Sequence, residues 1–203
     1  MIRNLRKLAL VPVLLLAVTA CEKAADPIAA VAPSAEIDPL LGGLLGGSQP
    51  SGWVLVNDPI LSLSGITSSV SSGQLIGFGG GSISLLGHTL IVPAGAVTKP
   101  TLFTMIVLPT GKVEVDLLAT VSTLLGVLDI GSTGFAKPVP VSFTYSRSTN
   151  VGTHAPQIKV LRIKSLLGYG SYEVMPSTVD TTNKKVSTAL DHFSRYTLAY
   201  PAD

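Results

Sequence analysis

Residues 138–146 read PVPVSFTYS, and their alternation decides the fold class. Val139, Val141, Phe143 and Tyr145 take every second position, with Pro140, Ser142 and Thr144 between them. A period of two sends one row toward a core and the other toward solvent, as a half-buried strand does. Residues 157–164, QIKVLRIK, repeat the pattern, with Ile158, Val160, Leu161 and Ile163 set against Lys159, Arg162 and Lys164. One slip in that alternation, at Val160-Leu161, predicts a β-bulge.

Working outward from these two strands, similar segments recur through residues 82–203. SISL and HTLIVP come first, then LFTMIVLP and KVEVDL; SYEVMP, KKVSTAL and SRYTLAY close the chain. They are rich in β-branched and aromatic residues and are separated by turn chemistry. About seven to nine short strands with almost no helical period fit an all-β antiparallel β-sandwich. The segment LLATVSTLLGVLDI (117–130) also fits a helical stripe through Leu117, Val121, Leu124 and Leu128. Its Val, Thr, Ser and Gly content lowers helix propensity, so strand or loop is expected there.

The N-terminal end carries a different message. Residues 1–7, MIRNLRK, hold three cations and no anion, and residues 8–20, LALVPVLLLAVTA, are almost wholly apolar. Such a run has the length of a signal-peptide core and is short for a membrane span. The next residue, Cys21, is the only cysteine in the chain. The junction Val18-Thr19-Ala20-Cys21 resembles the bacterial lipobox. That resemblance implies removal of residues 1–20, diacylation of the Cys21 thiol, and anchorage of the mature chain to a membrane. Two or more acyl chains hold a protein stably where one gives only marginal binding. Glu22, standing where an inner-membrane retention aspartate is found in such proteins, points to the outer membrane of a two-membrane envelope.

Processing changes the charge balance. The full chain has 14 basic and 12 acidic side chains; loss of Arg3, Arg6 and Lys7 leaves 11 against 12, a net charge of −1. No Lys/Arg run remains to track a phosphate backbone, so nucleic acid is not an expected partner. Residues 21–52 have the Ala, Pro, Gly and Ser clusters of a low-complexity tether, made less polar by Leu40, Leu41, Leu44 and Leu45. Residues 53–81 are ambiguous: WVLVNDPI suits a strand, and the Ser/Gly-rich remainder suits either a lead-in or an irregular strand.

The run GGSISLLGHTLIVPAGAVTKPTLFTMIVL, with its turn Ile91-Val92-Pro93-Ala94-Gly95, resembles the opening of ZU5-type domains. GFAKPVPVSFTY resembles the middle strand of that family, with Phe135, Pro138 and Val139 at the recurrent positions, and residues 171–199 resemble its final hairpin and strand. The likeness covers roughly residues 79–200 and departs at Tyr172, where a tryptophan is common. It implies a β-sandwich used for protein contacts; fold alone does not assign function.

In self-processing relatives of that family a His-Phe-Ser triplet cuts its own chain, and here the triplet is His192-Phe193-Ser194. The resemblance implies that the Ser194 hydroxyl attacks the Phe193 carbonyl, with His192 taking the serine proton as general base. The acyl group passes from nitrogen to oxygen, and water hydrolyses the resulting ester. The same residues also suit a purely structural role, with Phe193 in the core, His192 at a strand start and Ser194 facing out.

Other chemistry has little support in the sequence. His88, His154 and His192 lack zinc-site spacing, and Asp116, Asp129, Asp180 and Asp191 lack a calcium-loop pattern. The glycine run at 77–82 lacks the lysine of a phosphate loop, and no GxSxG elbow occurs. The expectation is a non-catalytic, lipid-anchored envelope protein. It presents a β-sandwich to a protein or glycan partner and needs no cofactor or metal. Self-cleavage between Phe193 and Ser194 is the alternative.

Overall fold

The computed structural model describes residues 50–59, 68–164 and 171–203. The leader, Cys21 and nearly all of the tether lie outside the described residues. The strands are β1 (Trp53–Leu55), β2 (Val70–Ile76), β3 (Gly81–Leu85), β4 (His88–Val92), β5 (Thr101–Val107), β6 (Glu114–Thr123) and β7 (Gly126–Asp129). They continue as β8 (Val139–Thr144), β9 (Lys159–Ile163), β10 (Tyr172–Met175), β11 (Thr178–Asp180), β12 (Lys185–Leu190) and β13 (Arg195–Pro201). The helical content of these residues is essentially one 3-10 segment, Gly152–Gln157, between β8 and β9.

Two antiparallel sheets face each other. One runs β10-β9-β13-β6-β5-β2, with β1 continuing alongside β13 and β7 alongside β6; the other runs β11-β12-β8-β4-β3. The fold is an all-β sandwich. In β8 the odd row, Val139, Val141 and Phe143, is buried, followed by buried Tyr145. These side chains meet Phe103 and Met105 of β5, Leu117 of β6, and Tyr196 and Leu198 of β13 from the other sheet. The β4–β8 ladder ends at Leu90↔Val141, one residue short of Pro140, which has no N–H to contribute.

Residues 53–81, ambiguous in sequence, supply β1 and β2, so the sandwich begins before Ser82. The strand β1 pairs with β13 (Trp53↔Pro201, Leu55↔Ala199), and β2 pairs with β5 along its whole length. The segment 117–130 is strand rather than helix. It extends KVEVDL into one ten-residue strand, β6, and turns back as β7.

The expected bulge at Val160-Leu161 is absent: β9 pairs with β13 residue for residue from Lys159↔Ala199 to Ile163↔Arg195. Val160 and Leu161 point to opposite faces and both are fully buried, so both faces of the sheet are covered at this point of β9. A strand covered on both faces has no reason to alternate.

Two glycines are demanded by the backbone. Gly95, closing the Pro93-Ala94-Gly95 turn, has φ +77° and donates its N–H to the Phe78 carbonyl at 2.7 Å. Gly80 has φ +76°, and a side chain there would meet the Val92 carbonyl at 2.4 Å. The turn that resembles the ZU5 opening is thus locked against the β2–β3 connection.

Candidate functional site

The connection from β12 to β13 carries Asp191-His192-Phe193-Ser194 and is held by main-chain bonds on both sides. Phe193 N–H donates to the Gly131 carbonyl at 2.7 Å, and Leu117 N–H donates to the Ser194 carbonyl at 3.1 Å. Phe135 N–H donates to the Asp191 carbonyl at 2.8 Å, and the Tyr196 hydroxyl donates to the His192 carbonyl at 2.9 Å. Burial pushes the Tyr196 phenol above its ordinary range, so it stays a donor.

Phe193 fills the core. Its ring meets Phe135 at 4.6 Å and Phe103 at 5.8 Å between centroids, both edge-on, the geometry that ring quadrupoles favour. Phe135, one of the recurrent positions of the ZU5 likeness, is therefore part of the same aromatic cluster.

The side chains on either side of Phe193 point to separate partners. The Ser194 hydroxyl donates to the Ile163 carbonyl at 3.3 Å. His192 Nε2 lies against the Arg162 guanidinium, which in turn pairs with Glu173. A guanidinium only donates, so Nε2 is the acceptor in that contact. Among the described residues the left-handed non-glycine positions are Leu86 and Lys184, both away from this loop.

A cleft of about 310 Å³ opens beside the loop, lined by Asp116, Asp129, Ile163, Lys164, Ser194 and Arg195 among others. Its charges are committed. Arg195 Nε and Nη2 donate to the two oxygens of Asp116 at 2.8 and 2.9 Å, and Asp129 Oδ1 accepts from Gly131 N–H at 2.8 Å. The cleft offers a recess with a polar rim rather than a bare ion.

A second constellation, not visible in any local pattern of residues, lies at the other end of the sandwich. Asp58 is 2% exposed and takes a bidentate contact from Arg147 (Nε to Oδ1 at 3.0 Å, Nη2 to Oδ2 at 2.5 Å). Arg147 Nη1 also donates to the Leu86 carbonyl at 2.5 Å. Buried His88 accepts from Thr144 N–H through Nδ1 at 3.2 Å and meets the Phe143 ring edge-on. Burial, reinforced by Arg147, lowers the His88 pKa to about 4. His154 stacks on Tyr200 at 4.6 Å, so the three histidines sit in three separate environments. Among the described residues no group of three His, Cys, Asp or Glu side chains is placed to hold a metal ion.

The remaining feature is apolar. Thr123↔Gly126 closes the β6–β7 hairpin with Leu124-Leu125 as its two turn residues, 106% and 101% exposed. Two-residue hairpin turns favour Asn, Asp and Gly, which tolerate the required backbone. A Leu-Leu turn is a signal that the sequence carried and that a strand-or-helix reading passed over. No protein-family model matches the chain, and no curated protein matches it.

Proposed function

We propose that this protein is a non-catalytic lipoprotein of a bacterial cell envelope. Its acylated Cys21 moors a β-sandwich that serves as an interaction module for an envelope protein or glycan. Where the cell has two membranes, Glu22 in place of a retention aspartate supports the outer one. The single observation that carries this reading is the position of the only cysteine, directly after an apolar leader and the small residues Thr19-Ala20. A lone thiol at that place has no disulfide partner in the chain and matches the acceptor of a lipobox.

The arrangement around Phe193 supports the non-catalytic part. General-base activation needs Ser194 Oγ within hydrogen-bond reach of the base. Its donor bond goes instead to the Ile163 carbonyl, while His192 faces Arg162.

Metabolic labelling with a fatty-acid analogue tests the reading. Label on the protein, lost in Cys21→Ser together with its membrane fractionation, is the expected result. An unlabelled product, or a Cys21→Ser variant that fractionates unchanged, would overturn it.

A further inference from the structure

Exposed large apolar side chains are not scattered over this sandwich. Among the described residues ten are exposed, and eight of these lie on β2, the β2–β3 turn, β5 and the β6–β7 hairpin with its turn. Leu75, Leu102 and Thr120 stand directly opposite one another across β2, β5 and β6, so the two leucines share the outer face of the sheet. Asp129 stands opposite Thr120 in that row, and Val127, paired with Ser122, lies on the same face two residues nearer the tip. The Leu124-Leu125 tip projects past the other strands, since β7 pairs only with β6.

The tip is convex, which decides what it fits. A partner protein would need a complementary groove to bury two adjacent leucines, whereas a fluid bilayer closes around any convex apolar point. Interfacial insertion reaches about 5–10 Å into the headgroup and acyl boundary. Residues 117–128 contain no charged side chain. The first charge on β7, Asp129, lies four residues from Leu125, about 13 Å back along the hairpin and above that depth. The neighbouring β4–β5 connection carries exposed Lys99, a cation suited to headgroups.

We propose that the β6–β7 hairpin inserts Leu124 and Leu125 into a lipid bilayer, as a membrane contact separate from the acylated N-terminus. By register, Trp53 pairs with Pro201, Thr197 with Glu114, and β6 then runs on to Thr123. The tip therefore lies about 43 Å along the strand direction from the end where the N-terminal chain enters. The 29 peptide links from Cys21 to Pro50 span at most about 100 Å. That is enough for tip and anchor to share one membrane. Only this shared-membrane geometry rests on acylation at Cys21; the apolar tip does not.

The test uses the full chain carrying Cys21→Ser, which is unacylated and free of thiols. A polarity-sensitive fluorophore is attached at Leu125→Cys or, as control, at Thr181→Cys in the exposed β11–β12 turn at the opposite end. Vesicles of phosphatidylethanolamine and phosphatidylglycerol are added, with and without a quencher on the acyl chains. The expected result is a blue shift and acyl-chain quenching at position 125 with neither at 181. Exchanging both tip leucines for serine should then lower vesicle partitioning at least about tenfold.

No change at 125, or equal quenching at both positions, overturns the proposal. A blue shift at 125 that grows with protein concentration without vesicles also overturns it, and assigns the tip to a second copy. Because the probed chain has no acylation site, the outcome is independent of whether Cys21 is modified.

Discussion

Two hairpin turns, each two residues long and each containing leucine, end opposite poles of this sandwich and are treated in opposite ways. At Leu86-Gly87, between β3 and β4, both residues have positive φ (49° and 86°), a conformation that costs a leucine energy. There Arg147 grips the Leu86 carbonyl and also holds buried Asp58, while His88 beside the turn is sealed from water. At Leu124-Leu125 the turn is held locally, with the Thr123 hydroxyl donating to the Gly126 carbonyl at 2.8 Å and accepting from Leu125 N–H at 3.3 Å, and both leucines stand fully in solvent. The clamped turn is held by polar groups of the fold itself, through the Arg147 bonds to the Leu86 carbonyl and to Asp58. A turn that exposes leucine gains nothing from the isolated fold, and its apolar area waits for another surface.

The comparison breaks most visibly at the clamped pole. Removing one partner of a buried ion pair typically costs about 3–5 kcal/mol, because the remaining charge loses its counter-ion. Arg147→Ala should therefore lower the stability of the folded chain by that order, read as a reduced urea midpoint. A midpoint unchanged from wild type would mean that the pair contributes nothing.

His88 gives the next effect, and its sign is fixed by burial. The folded state lowers its pKa from 6.5 to about 4, so between those values the unfolded chain binds a proton that the folded chain refuses. Stability is fully present above pH 6.5 and falls as the pH drops toward 4, by on the order of 3 kcal/mol from this group. Arg147 and Asp58 are the charged groups that modulate it. Urea melts across that range should show the decline in wild type and a flatter profile in His88→Gln.

At the exposed pole the same experiment should show almost nothing. Leu124→Ser and Leu125→Ser touch no packed neighbour, and such surface changes stay within about 0.5 kcal/mol. A large loss on unfolding would place these leucines in the fold's own stability and remove the contrast. The smallest expected effect concerns Ser194. If the chain is not self-processed, wild type and Ser194→Ala have matching intact masses apart from the one oxygen. Loss of residues 194–203 from wild type alone would establish the self-cleaving alternative.

How much of this was legible in the sequence depended on exposure. β8 alternates from Val139 to Phe143 because Pro140 and Ser142 face outward, as PVPVSFTYS showed. Thr144, expected to face outward, is instead buried, with its hydroxyl bonded to Ser146 and the Lys184 carbonyl. β9 is covered on both faces at Val160 and Leu161, so both are buried and the apparent slip carries no bulge. β2 is an edge strand on which Ile76 alone is fully buried, and VSSGQLI gives no period to detect. In 117–130 the spacing of Val121 and Leu128 suits a helical stripe as well as it suits their cross-strand pairing in the hairpin. The triplet His192-Phe193-Ser194 was visible as residues; the partners that decide its chemistry, Arg162 and the Ile163 carbonyl, come from a distant strand. The Asp58–Arg147 pair spans 89 positions, a separation that no local pattern reveals.

The membrane anchorage on which the proposed role depends is tested most directly by the N-terminus of the mature protein. Mass spectrometry of material extracted from the producing cells should find a chain beginning at Cys21 and carrying a diacylglyceryl group on its sulfur. An unmodified Cys21, or a leader still attached, would contradict the account.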